Sequence, residues 1–299
     1  PRFQPAVALM PRRTVAIAGI VGVMVIWGTT YIVTKYAVDE VPPGTMAVLR
    51  FAFAFVVLLP VAIARGGLAR LPRPLPIGTL LFMGITGFAL YYAAFNYALL
   101  YGSASQGALI QALLPVGIAG AAVLVLKERL SGRRMLGVVL SIVGVALVIV
   151  NGRAESVDAP NPLLGAVLML ASVVAWAAYT VAAKRISGVD PIVTITCTSI
   201  IGTVFLIPMV VVELAGKPLP APSLEAWLSV AYLGIAATGL ALIIYSWGLR
   251  ELDATVVGVY VNLVPIIGVL SAVLFLGESL APLQIVGGTL ALVGMWLAS

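Results

Sequence analysis

Between Trp27 and Thr34, the residues Trp27, Thr30, Tyr31 and Thr34 are spaced i, i+3, i+4 and i+7, so they share one helix face. Ser172, Trp176, Tyr179 and Thr180 make a similar face later in the chain. Between the two lie Tyr91, Tyr92, Phe95, Asn96 and Tyr97, with Tyr91–Phe95 and Tyr92–Asn96 each one turn apart. Aromatic faces offer dispersion contact and a cation–π surface for an ammonium group. Hydroxyls and amides can hold a carboxylate without a full countercharge. The combination suits an amphiphilic, partly apolar solute. The candidate binding residues are Trp27, Thr30, Tyr31, Tyr91, Tyr92, Phe95, Asn96, Gln111, Trp176, Tyr179, Tyr245, Tyr260 and Asn262. A second reading stays open: hydroxyls bonding their own helix backbone and amides bridging helices are common in membranes. An interfacial aromatic belt fits Tyr36, Tyr101, Trp227, Trp247 and Trp296, but not Tyr91 and Tyr92, which fall near the middle of an apolar run.

Other chemistries are excluded. The chain has no histidine, which removes His-based general bases, Ser-His and Cys-His nucleophiles, and His metal sites. Cys197 is the single cysteine, so there is no internal disulfide or thiolate metal cluster. No G-x-x-x-x-G-K-[ST] loop is present to hold ATP phosphates. All eleven acids fall in loops or at the ends of apolar runs, so a relay through a buried carboxylate has no candidate. We therefore expect no catalytic residue, no metal and no cofactor. One charge lies deep: Arg50, about two turns inside the second apolar run. A charge at that depth is a functional-site hypothesis by default. Its alternative is structural, pairing with an acid or a helix C-terminus. Phosphorylated solutes would need several buried cations; this chain offers Arg50 plus Lys35 and Lys184 near run ends, so neutral amino acids rank above them.

The elements that position these residues follow from composition. The chain is 62% hydrophobic and 9% charged, where a soluble domain has roughly a quarter charged residues. Its solvent must be lipid. Runs of about 20 apolar residues predict ten membrane spans, at 14–35, 44–64, 76–100, 103–126, 133–150, 162–183, 191–213, 226–249, 254–276 and 281–298. The first run reads as a span rather than a signal peptide. Breaks fall at Pro42-Pro43-Gly44, Pro72-Arg73-Pro74, Asn161-Pro162 and Pro218 to Pro222, with a polar linker over 151–161. With the N-terminus in the cytoplasm, thirteen Lys and Arg fall inside, among them Arg2, Lys127, Arg129 and Arg185, against Lys35, Arg153 and Lys217 outside. Both termini are then cytoplasmic, in a bacterial-type inner membrane. This distribution accounts for the net charge of +6 without nucleic acid.

Residues 84–147 recur at 234–297 with a constant offset and 18 identities in 64 positions. Gly84, Pro115, Glu128, Gly137 and Gly144 match Gly234, Pro265, Glu278, Gly287 and Gly294. Five spans per copy is an odd number, so the second copy enters from the opposite face. The expected fold is an all-α polytopic membrane protein of ten transmembrane helices in two inverted five-helix repeats, 14–150 and 162–298. Inverted repeats are how many transporters build a site that opens to either side. Pro115 and Pro265 are expected to kink the fourth and ninth spans as hinges. Gly137, Gly144, Gly287, Gly288 and Gly294 read as close-packing positions and leave homodimer formation open. The glutamates at 128 and 278 have capping or gating roles open to them, with surface pairing as the plain alternative.

The stretch WGTTYIVTKYAVDEVPPGTMAVLRFAFAFVVLLP from Trp27 to Pro60 resembles the opening of EamA-type proteins of the drug/metabolite transporter superfamily. So does the spacing of Pro115, Glu128, Gly137 and Gly144, and its copy. The resemblance covers nearly the whole chain and implies two inverted five-helix repeats and export of small metabolites. Among ten-helix members the chain is similar to amino-acid exporters of the YddG type. The expected function is secondary export of neutral or aromatic amino acids by alternating access, without ATP and facilitated rather than proton-driven. A multidrug or cationic-metabolite exporter is the alternative of the same class; a non-transporting membrane scaffold is the alternative of another.

Overall fold

The computed structural model describes residues 12–71, 73–127, 131–150, 159–184, 186, 188–217 and 220–298. Arg2, Pro72, Glu128, Arg129, Arg153, Arg185, Pro218 and most of the 151–161 linker lie outside the described residues. Ten apolar helical spans follow one another with short connections, and no strand occurs among the described residues. They are α1 (Arg12–Val38), α2 (Pro43–Ala64), α3 (Ile77–Tyr101), α4 (Ala104–Val125), α5 (Gly132–Val150), α6 (Pro162–Ala183), α7 (Pro191–Leu214), α8 (Leu224–Glu251), α9 (Val256–Leu276) and α10 (Pro282–Ala298). Nine are long and apolar enough by themselves to cross a bilayer; α10 is a shorter apolar helix of about 26 Å. Leu124 and its repeat mate Leu274 are 83% and 74% exposed, as lipid-facing side chains are.

Helix starts are chemically marked. Pro43, Pro162 and Pro191 occupy first-turn positions, where the missing N–H costs nothing. Ser103, Asn161, Asp190 and Ser223 accept from first-turn amides as N-caps. Within lipid, free backbone amides have no water to bind, so these caps complete the spans.

The halves exchange partners. The first two helices of each repeat pack on the third and fourth of the other: α1 and α2 on α8 and α9, α6 and α7 on α3 and α4. Small residues make the crossings close. A Cβ on Gly234 would stand 2.5 Å from the Arg50 carbonyl oxygen, and one on Gly84 would stand 2.9 Å from that of Thr198. Those two contacts are repeat mates. The α5–α10 pair is closest of all. A Cβ on Gly137 would lie 2.7 Å from the Gly294 oxygen, one on Gly287 would lie 2.6 Å from that of Gly144, and Ser141 donates to Ala291, its own repeat mate, at 3.2 Å. Gly288 faces Leu109. These glycines are therefore used inside the chain, and self-association would have to use other residues.

Four helices are irregular, in matching pairs. α3 carries a π-helical segment at Ile85–Leu90 and α8 one at Tyr232–Leu240. α4 breaks after Gln111 and resumes at Leu114; α9 breaks after Val261 and resumes at Leu263. Pro115 and Pro265 sit just beyond the breaks and cannot donate to the carbonyls four residues back. A helix break thus accompanies the proline in both copies.

The helix ends are tied across elements. On the Arg-rich side, Asp190 accepts from Ile192 N–H at 2.8 Å, Arg65 at 3.0 Å and Arg250 at 2.8 Å, joining α2, α7 and α8. On the other side, Glu213 near the end of α7 accepts from Gly44 N–H, Thr45 N–H and Tyr97 O–H at 2.7–2.8 Å. Glu278, just past α9, caps Ala104 and Ser105 at the start of α4. That is a capping role, one of those open to it from sequence. Lys35 donates to the Leu99 and Gly102 carbonyls at the end of α3. Glu40 accepts from both Ser223 N–H and O–H, which hold its carboxyl below the ordinary value.

Two tests follow from this packing. Gly144→Ala puts a methyl into the α10 backbone and is expected to destabilise by about 1–3 kcal/mol or prevent folding; Gly120→Ala, with open space around it, should leave the thermal midpoint in detergent unchanged. At Asp190, partial burial raises the pKa, but the Ile192 amide, Arg250 and Arg65 outweigh it and hold the carboxyl below its ordinary 3.8. A group depressed in this way stabilises above its ordinary pKa and loses that contribution as pH falls through the folded value. The thermal stability of the wild type should therefore fall as pH drops below 3.8. Asp190→Asn should be less stable at neutral pH and flatter on the acid limb.

Candidate functional site

The described residues hold no group of three or more acids and cysteines placed to bind a metal. What they hold near the middle of the spans is aromatic. Tyr91 of α3 lies at 4.9 Å from Trp176 of α6, 4.8 Å from Tyr92 and 5.8 Å from Phe95 (ring centroids throughout). Trp176 meets Tyr179 at 5.0 Å; Tyr179 meets Phe88 edge-on at 5.6 Å; Tyr92 meets Phe51 edge-on at 4.9 Å. Phe95 continues to Tyr31 of α1 at 5.5 Å. Tilted and edge-on pairs at these separations are the favourable aromatic geometries. The chain of rings joins α1, α2, α3 and α6, and so crosses between the repeats.

A second, smaller group lies one turn from Tyr31 along α1. Trp27 packs on Tyr245 of α8 at 5.1 Å and donates its indole N–H to the Ala237 carbonyl, inside the π-segment, at 3.0 Å. Tyr260 of α9 packs in the same group. The two groups are repeat counterparts, Trp27 with α8 and Trp176 with α3, but the α3 side has more rings.

Polar positions divide by location. Gln111 donates to Ser172 at 3.2 Å and also meets the Tyr91 hydroxyl, so it stands beside the larger ring group at the α4 break. Asn262 stands at the corresponding break of α9, with a buried Oδ1 that has no partner among the described residues. Asn96 is fully buried and donates to the Pro43 carbonyl at 2.9 Å, fastening α3 to the start of α2. The hydroxyls of Thr30, Ser172 and Thr180 donate to their own helices, at Trp27, Met169 and Trp176. Their protons are occupied, and they can offer only lone pairs to a solute.

Arg50 is 4% exposed. Among the described residues it pairs with neither an acid nor a helix C-terminus, the two structural roles expected from sequence. Its Nε donates to Thr238 Oγ1 at 2.8 Å, and its guanidinium carbon lies 4.5 Å from the centre of the Tyr92 ring. Thr238 belongs to the α8 π-segment and itself donates to the Leu233 carbonyl at 2.9 Å. Thr238, Phe51 and Phe88 were missed as site residues. Each is a common residue in an apolar run, and only the α2–α8 and α2–α3 packing gives them their place.

Comparisons with known proteins agree with this architecture. The family model for the EamA-like transporter family matches residues 14–150 and again 163–299. The chain is 28% identical to the "Uncharacterized transporter YyaM" of Bacillus subtilis, covering 94% of this chain and 92% of that one. It is 29% identical to a "Probable amino-acid metabolite efflux pump" of Escherichia coli, covering 92% and 91%. A solved crystal structure at 23% identity covers 96% of each chain with a TM-score of 0.64, which supports the same fold. With ten apolar helices, a doubled family match and relatives named as transporters, this chain is a multi-pass membrane transporter and belongs to the EamA-like transporter family.

Proposed function

We propose that this protein exports neutral or aromatic amino acids, or closely related small metabolites, across the cytoplasmic membrane by alternating access, with both termini in the cytoplasm. The observation that carries the reading is the ring group at the junction of the two repeats, bordered by Gln111 and Arg50 and without a carboxylate beside it among the described residues. Rings take an apolar side chain by dispersion and present negative faces to an ammonium group. A lipophilic cation would call for a buried acid instead. The relative named as an amino-acid metabolite efflux pump supports the same class.

The frame is suited to rocking. Each repeat contributes two helices to the other's packing, so tilting one against the other moves both sides of the ring group together. The matched π-segments and proline breaks in α3, α4, α8 and α9 support this reading, since such irregularities often mark functional sites in helices. The acids that the spans carry serve at helix ends as caps and ties, which leaves a downhill, facilitated movement as the expected mode.

In liposomes without ATP, label should move for threonine, methionine or phenylalanine. Trp27→Ala, Tyr91→Ala and Trp176→Ala should each lower that flux about tenfold with expression intact, the loss of one aromatic contact plus its buried area. Flux of a quaternary ammonium dye with none of any amino acid would overturn the substrate class. Uphill accumulation driven by an imposed pH gradient would overturn the facilitated mode.

A further inference from the structure

We propose that Arg50 is the docking point for a carboxylate on the transported solute; the inference deepens the transport reading above and rests on it. Arg50 lies seven residues beyond Pro43, about 10 Å along α2 from the helix start. A guanidinium keeps its charge at any working pH, so its burial in the membrane is costly and must be answered locally. The answer here is partial. Thr238 takes Nε, and the Tyr92 face covers the ion at 4.5 Å. The terminal nitrogens have no acceptor, and Arg50 has no counter-ion, among the described residues. A planar fork of donors, held at its stem and free at its tip, matches a carboxylate in a bidentate arrangement.

The repeat supplies an internal control. The α2–α8 crossing, with Gly234 against the Arg50 carbonyl, has a counterpart where α3 crosses α7, with Gly84 against the Thr198 carbonyl. The second crossing is made with Thr198 and Phe88 in the places of Arg50 and Thr238. The fold therefore forms this crossing without a charge, and packing does not explain why one copy carries Arg. Both crossings adjoin the ring group, the neutral one through Phe88, which meets Tyr92 and Tyr179, and the charged one through Tyr92, which joins Arg50 to Tyr91 and, through it, Trp176. A carboxylate on Arg50 would leave an adjoining apolar group within reach of those rings. One cation suits a monoanionic carboxylate better than a phosphate dianion.

The test uses the full chain in detergent, with four probes of matched ring size: phenylalanine, 3-phenylpropionate, phenylalaninol and phenethylamine. The first two carry the carboxylate. The wild type should bind those two and discriminate against the others. Arg50→Gln should lose about 100-fold for the carboxylate pair, the scale of a charge-assisted bidentate contact, with no loss for the amine. Its thermal midpoint and monodispersity report folding. If it fails to fold, Arg50→Lys, keeping the charge without the fork, should lose about tenfold, and Thr238→Val should weaken the carboxylate pair alone. Equal binding of all four probes by the wild type, or unchanged phenylalanine binding in a folded Arg50→Gln protein, would overturn the assignment. Binding of 3-phenylpropionate through Arg50 without phenylalanine would overturn the amino-acid reading and leave the carboxylate site standing. Binding of none overturns both.

Discussion

Hydrocarbon offers no hydrogen bonds, so every amide, hydroxyl and charge placed in it must be satisfied by the chain itself. The caps at Ser103, Asn161, Asp190 and Ser223 complete helix starts that water would otherwise complete. The carboxylates of Glu213 and Glu278 satisfy pairs of first-turn amides on α2 and α4. The same demand makes helices approach through glycine, because without a hydrophobic drive between helices close backbone contact must supply the attraction. The α5–α10 pair carries this furthest and anchors the two repeats to each other at matched residues.

Around that anchor the helical frame is symmetric between the repeats, and the ring group is not. The π-segments, the proline breaks and the glycine crossings occur in both copies at equivalent places. The proposed alternating access would call for such matched irregularities, since opening to one side is the inverse of opening to the other. A solute has no such symmetry. Accordingly the α3 side gathers Tyr91, Tyr92 and Phe95 in direct ring contacts, while on the α8 side the ring contact with Trp27 is made by Tyr245, with Trp247 and Tyr260 packed in the same group. Arg50 is answered across the repeat by Thr198, which is neutral.

Much of this was legible from the residues. The doubled block, the apolar runs and their odd number per copy led to inverted repeats, because period and length act locally and lipid allows few alternatives. The breaks in α4 and α9 were readable from Pro115 and Pro265. The ring residues were readable as types, since Tyr91 and Tyr92 lie too deep for an interfacial belt. Asn96 looked equivalent to Gln111 in sequence, yet one fastens a helix start and the other borders the rings. Arg50 announced a buried charge, but its partner is a threonine 188 residues away in another helix.

The sequence by itself determined the number of spans, the duplication, the inversion and the aromatic character of the mid-span residues. These depend on composition, periodicity and proline, which act over a few residues. Tertiary structure alone decided which polar groups remain available. The π-segments follow from no residue type, because widening a turn is stabilised by what packs against it. The hydroxyls of Thr30 and Ser172 turn to their own backbones. Among the described residues the terminal nitrogens of Arg50 have no acceptor, because Thr238 and Tyr92, brought in by α8 and α3, occupy its stem and face but not its tip.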